Sequence, residues 1–287
     1  MYLKQFAKQL ESHLARSGSR FKVQGPEYAG ALFAMLMDFG NVENSLWTMI
    51  SQHQQDMKRK YCQQTGTDFD KLLKDFVVQD PKVIDPIKTE YWSKSITDPY
   101  MLPQGLSSEK SFSSSDDITA YVGPLLFQTI SAVAGHIGNN NVVPFMHMVL
   151  AHLVALTWIP GASVHIEKWI PWEQVAQFLN TVGRSGISYD NIESSDFPKS
   201  FGGSKRQLPE DFSMRGLAVM TYYYKQGFFS DLVDEDERLL EQPSHQAPRV
   251  ERCLWAGIQL AETVRFITML TLSSTHPYYS HTDLYAP

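Results

Sequence analysis

From Ile118 to Ile166 the chain runs 49 residues without an Asp, Glu, Lys or Arg. No other feature limits the possible folds so strongly, because such a run has to be surrounded by the rest of the chain or by lipid. It holds two apolar segments, 118–137 and 142–159, joined by Gly138-Asn139-Asn140-Asn141. Two readings fit: a helical hairpin buried in a large α-domain, and a transmembrane hairpin. Gln128, Thr129, Ser131, His136, His147 and His152 interrupt the apolar surface, and no Lys or Arg lies close to either end. Both observations weigh against lipid and favour the buried hairpin.

A buried hairpin needs amphipathic cover, and the flanking sequence supplies it. Leu3, Phe6, Leu10 and Leu14 form a helical stripe, with Gly18 placed to end it. Pro26 suits the first turn of a helix over 27–39 closed by Gly40. A third helix is expected over 42–64, with Leu46, Ile50 and Met57 inward, and a fourth over 68–78, opened by Thr67 and Asp70. Pro81, Pro86, Pro99 and Pro103, then a serine tract over 107–115, make 79–117 a long loop. Beyond the hairpin, helices are expected over 173–182, briefly after Pro209, and over 248–272, with Val250, Leu254, Ile258, Phe266 and Leu270 on one side. No segment alternates with period two strongly enough to predict a sheet. The expected class is all-α, in three parts: 1–78, the 79–117 loop, and 118–287 packed as one unit with 1–78.

Catalytic signatures are missing. There is no P-loop, no nucleophile elbow and no His-Glu-x-x-His. Gly202-Gly203-Ser204-Lys205 is a fragment of a flexible loop. His147 and His152 are five apart, on different faces of one helix, so hydrogen-bonded core histidines are expected there rather than a shared metal. His276 and His281 sit in a polar tail that admits a weak metal site or a plain surface. The acids at Asp231, Asp234, Glu235, Asp236 and Glu237 crowd one segment and lack the opposed geometry of two-metal chemistry. A non-enzymatic protein without cofactor is therefore expected.

Acids outnumber bases 31 to 25, a formal net charge of −6, so nucleic-acid binding by overall charge is excluded and only a local basic face would serve. Lys4, Lys8, Arg16, Arg20 and Lys22 face a single Glu11 in the first 22 residues, and Lys58-Arg59-Lys60 is a second run. A third group, Arg184, Lys199, Lys205, Arg206 and Arg215, flanks the Gly-rich loop beside Tyr189 and Phe201. Cations interleaved with aromatics suit single-stranded nucleic acid. The candidate contacts are Lys205, Arg206, Arg215, Arg184, Lys4 and Lys8. Cys62 and Cys253 have no CxxC partner, no Asn-x-Ser/Thr occurs, and Lys4 and Lys8 interrupt any signal-like run. A nuclear or cytoplasmic location is expected.

Four blocks carry more specific information: Val143-Pro144-Phe145-Met146-His147; residues 170–181, beginning Ile170-Pro171-Trp172-Glu173; Leu208-Pro209-Glu210-Asp211 through Arg215-Gly216; and Arg252-Cys253-Leu254-Trp255-Ala256-Gly257. In this order they resemble the DNA/RNA-binding helical domain shared by the "ever shorter telomeres" telomerase-associated proteins and the SMG factors of nonsense-mediated mRNA decay. The match spans about 118–272. The resemblance implies tetratricopeptide-like hairpins stacked into a superhelical array. It implies a non-enzymatic adaptor that engages single-stranded RNA or DNA and the proteins of mRNA decay or telomerase. Some family members add a PIN nuclease domain, and with 15 residues after Leu272 none is expected here. The blocks themselves are expected to be mainly architectural. Pro171-Trp172 starts a helix, Glu210 and Asp211 sit at a helix N-terminus, and Arg215 is placed to pair with Asp211.

Overall fold

The computed structural model describes residues 2–66, 118–183, 187, 189–194, 196–198, 207–221, 223–224, 228–229, 240–263, 267–271 and 277–281. The helix expected over 68–78, the 79–117 loop and most of the acidic segment lie outside the described residues. Within them the chain is predominantly helical, as its periodicity predicts.

The uncharged stretch becomes α3 (Ile118–Ala134) and α4 (Val143–Thr157). Every residue of α4 is buried, the two histidines included. Each large apolar side chain so placed contributes about 1.5–3 kcal/mol, which makes this helix the axis of the core. No helix among the described residues is long and apolar enough to cross a membrane.

α1 (Tyr2–Leu36) packs on both α3 and α4. The sequence predicts two helices here, split near Gly18 and Pro26. The first break is there: two helices meet at a kink where Ser17, next to Gly18, leaves helical geometry (φ −136°, ψ 37°). The second is not, and the backbone stays helical through Pro26. A Cβ on Gly25 would stand 3.1 Å from the Phe145 side chain, so the glycine admits α1 against the start of α4 rather than ending a helix. α1 stops at Leu36, and Asp38, Phe39 and Gly40 turn the chain with φ of 47°, 51° and 92°. Two non-glycine residues in the left-handed region are costly, and hydrogen bonds hold them there. Asn41 Nδ2 donates to Asp38 Oδ2 at 2.7 Å. The Asn44 side chain donates to the Leu36 carbonyl and accepts from the Trp47 amide, capping α2 (Ser45–Thr65). Gly66, at φ 69°, closes α2.

After α4, Trp169 lays its ring against α3 at Gly123, where a Cβ would lie 2.3 Å from the indole. The Trp172 indole N–H donates to the Glu167 carbonyl at 2.9 Å and opens α5 (Trp172–Thr181). Two short helices follow, α6 (Tyr189–Ile192) and α7 (Pro209–Met214), and then α8 (Gln246–Thr263), which packs on α4. The helix expected to reach Leu272 ends at Thr263. Its last residues form β1 (Ile267–Thr271), antiparallel to β2 (Pro277–His281), with Ile267 opposite His281 and Thr271 opposite Pro277. The β-branched Ile267, Thr268 and Thr271 favour this strand over continued helix. The hairpin is the one strand pair among the described residues, and no alternating pattern announces it.

Gly123→Ala tests the Trp169 contact. In a free helix this change stabilises by about 1 kcal/mol. Against the indole it is expected to destabilise by about 1–3 kcal/mol in urea unfolding, and Trp169→Leu in the same chain is expected to relieve most of the loss.

Candidate functional site

Three of the four sequence blocks meet at one buried place. Pro209 begins α7 and puts Glu210 and Asp211 in its first turn. Neither acid reaches solvent: Glu210 is 2% exposed and Asp211 is fully covered. Glu210 Oε1 accepts from Arg249 Nε at 2.5 Å and from His147 Nδ1 at 2.9 Å, and its Oε2 accepts from Arg249 Nη2 at 2.9 Å. Asp211 Oδ2 accepts from the Leu208 amide at 2.7 Å and from Arg252 Nη1 at 2.6 Å, and its Oδ1 accepts from the Tyr224 hydroxyl at 3.0 Å. Arg249 and Arg252 are three apart on α8, one turn of the same face, and so reach two adjacent acids. Arg249 continues outward to both oxygens of Glu241, at 3.0 and 2.8 Å, and Glu241 in turn holds Lys22 of α1 at 2.8 Å. The Arg252 guanidinium also lies 5.1 Å from the Phe197 ring and 5.3 Å from the Phe228 ring.

Three carboxylates thus face two guanidiniums and one ammonium. Burial raises a carboxyl's pKa, but here the bonds from His147 and Arg249 outweigh it and hold Glu210 down at about 2. Glu241 is held low in the same way: burial pushes it up, and His245, Arg249 and Lys22 overcome it. Because a carboxylate only accepts, His147 carries its proton on Nδ1. The carboxylates and guanidiniums are paired with one another, while His147 Nε2, also buried, has no hydrogen-bond partner among the described residues.

The two core histidines differ in partner. His152 Nδ1 lies 2.8 Å from the Met148 carbonyl, and its ring stacks on Phe33 at 4.5 Å. Burial, outweighing that hydrogen bond, lowers its pKa to about 4. Among the described residues no group of three or more His, Cys, Asp or Glu is placed to hold a metal. Neither cysteine is in a disulfide, both are buried, and burial pushes the Cys253 thiol up, away from reactivity.

Of the expected nucleic-acid contacts, Arg184, Lys205 and Arg206 lie outside the described residues, as does the Lys4 side chain. Lys8 is exposed on α1. Arg215 is exposed at the end of α7, but it does not pair with Asp211. Asp211 is already taken by Arg252 and Tyr224, and Arg215 instead lies over the Phe229 ring at 5.0 Å. The described part of the structure does not draw these six cations together.

It does form a groove elsewhere, of about 490 Å³, between α2 and the end of α4. Met49, Met57, Ile159 and Pro160 make the apolar part, and Arg59 and Lys60 supply positive charge. Asp56 lies in the same wall, with Oδ1 3.2 Å from Arg59 Nη1. His53 is half-buried beside them. Burial first, and Lys60 next, lower its pKa to about 4. The far side of α2 is anchored by Gln54, whose amide donates to the Ala218 carbonyl and Thr221 Oγ1. The basic run that lines this groove was legible as charge but not as a groove, because its other wall comes from residues a hundred positions away.

No protein-family model, curated protein or solved structure matches the chain.

The lowered pKa values set the pH response. Above about pH 6.5 His53 and His152 are neutral in both the folded and the unfolded chain. Between 6.5 and 4 only the unfolded chain takes up their protons, so stability falls by up to about 1.4 kcal/mol per pH unit for each. Glu210 adds a loss between about 4.5 and 2. Urea unfolding from pH 7.5 to 4 is expected to show this slope, and His152→Gln is expected to remove about half of it.

Proposed function

We propose that this chain is a non-enzymatic adaptor of nonsense-mediated mRNA decay or telomere maintenance, acting in the nucleus or cytoplasm. In this reading its helices form tetratricopeptide-like hairpins in a superhelical array that engages single-stranded nucleic acid and protein partners. The observation that carries it is the meeting of the Val143–His147, Leu208–Gly216 and Arg252–Gly257 blocks in one buried ion network. Residues that resemble a family's signature, and that hold one another in place away from solvent, suit a scaffold whose partners bind its surface. The helical architecture and the exposed cations at Lys8, Arg59, Lys60 and Arg215 support the same reading.

A second reading is a protein-interaction scaffold that binds no nucleic acid. One observation favours it: Phe39 and Val42, 76% and 79% exposed, project from the hydrogen-bonded, left-handed turn after α1. A held aromatic on the surface is a common anchor for a protein partner.

Fluorescence anisotropy with labelled single-stranded RNA and DNA separates the two. The adaptor reading expects binding that weakens steeply as salt rises from low to near-physiological. It also expects weaker binding when Lys205, Arg206 and Arg215 are changed to Ala. The absence of binding at low salt would leave the protein-interaction scaffold.

A further inference from the structure

The groove beside α2 combines an apolar floor, side-chain amides and cations. Its size suits one nucleotide, within the range of small-ligand sites. Met49 and Met57 are each 4% exposed and form a floor with Ile159 and Pro160. Methionines and prolines give a flat base an apolar, adaptable seat. Gln52 and Gln63 line the same space and carry amides that both donate and accept, as base edges do. Arg59 and Lys60 stand in its wall as exposed cations. The single acid in that wall, Asp56, has its charge opposed by Arg59. A phosphodiester therefore meets net positive charge here, on a chain whose overall charge is negative.

We infer that this groove is a nucleotide-binding step for a single strand, the base lying on Met49, Met57 and Ile159 and the adjoining phosphate on Arg59 and Lys60. The inference rests on the nucleic-acid reading proposed above and adds a location to it. His53 is the one ring among the described residues that line the groove. Apolar contact, amide bonds and the His53 imidazole together hold the base, and uridine and thymidine strands are expected to bind with similar strength. The anchoring of α2 through Gln54 keeps the groove wall fixed, so the site is formed before the strand arrives.

The test uses the full chain with labelled twelve-residue oligouridylate and oligothymidylate, in anisotropy titrations across a salt series. Arg59→Glu with Lys60→Glu alters exposed side chains only, and an unchanged thermal melt checks that the fold survives. The expected result is at least tenfold weaker binding, with the salt slope shallower by about 0.7 for each lost phosphate contact. Lys168→Glu, an exposed cation away from the groove, is expected to leave binding within twofold. Ultraviolet crosslinking of a 4-thiouridine strand is expected to mark peptides between Met49 and Gln63. Binding by the native chain that is unchanged in the double variant would overturn the site and leave the adaptor reading standing. An equal loss in the Lys168 variant would overturn it too, since general charge would then explain the effect. A native chain that binds no strand at low salt, or whose groove takes only an acidic polyglutamate peptide, would overturn both.

Discussion

The bond between Glu210 and Arg249 is the constraint around which the described structure is arranged. Placing an ionised carboxylate and a guanidinium out of water costs several kcal/mol for each ion, and only near-complete hydrogen bonding offsets it. That requirement dictates where four elements must lie. α7 has to present its first turn to α8, α4 has to bring His147 within 2.9 Å, and α1 has to supply Lys22 to the outer acid, Glu241. Hydrophobic burial drives these elements together but is tolerant of sliding. The paired ions admit one register, because any other leaves a charge buried and unmatched.

This division explains why residues that look functional in sequence are found inside. Glu210, Asp211, Arg249, Arg252 and His147 have the composition of a catalytic cluster, yet the acids and arginines are paired with one another, and only His147 Nε2 of the five is left without a partner among the described residues. Aromatic rings close the cluster: Phe197, Tyr223, Tyr224, Phe228 and Trp255 stack and abut around Arg252. The cluster is closed off from solvent, and charge and apolar surface are exposed elsewhere, at the α2 groove and at the turn carrying Phe39.

The helical class was legible because its signals are local. The uncharged stretch, the apolar stripes and the proline and glycine punctuation each act within a few residues, and α2, α4 and α5 fall close to where they were expected. Errors arose where distant residues decide. Pro26 reads as a helix start in sequence, but the backbone stays helical through it, and Gly25 beside it serves the approach of Phe145 on α4. Arg215 stands at the right spacing for Asp211, yet Arg252, 41 positions on, takes the acid because the fold brings α8 to it. A signal for that was present: arginines at 249 and 252 flank Val250, Cys253 and Leu254 in a helix too apolar to leave them in water without a reason. The strand pair at the C-terminal end was invisible because its pairing is set by contact between two short segments and not by alternation within one.

The most direct measurement is a double-mutant cycle on Glu210 and Arg249, using Glu210→Gln, Arg249→Met and the pair, read by urea unfolding at pH 7. If the buried bond organises the fold, each single variant strands a charge, the double variant does not, and the coupling energy exceeds about 2 kcal/mol. Additive effects, with a coupling below about 0.5 kcal/mol, would contradict that account and leave hydrophobic packing alone to fix the register.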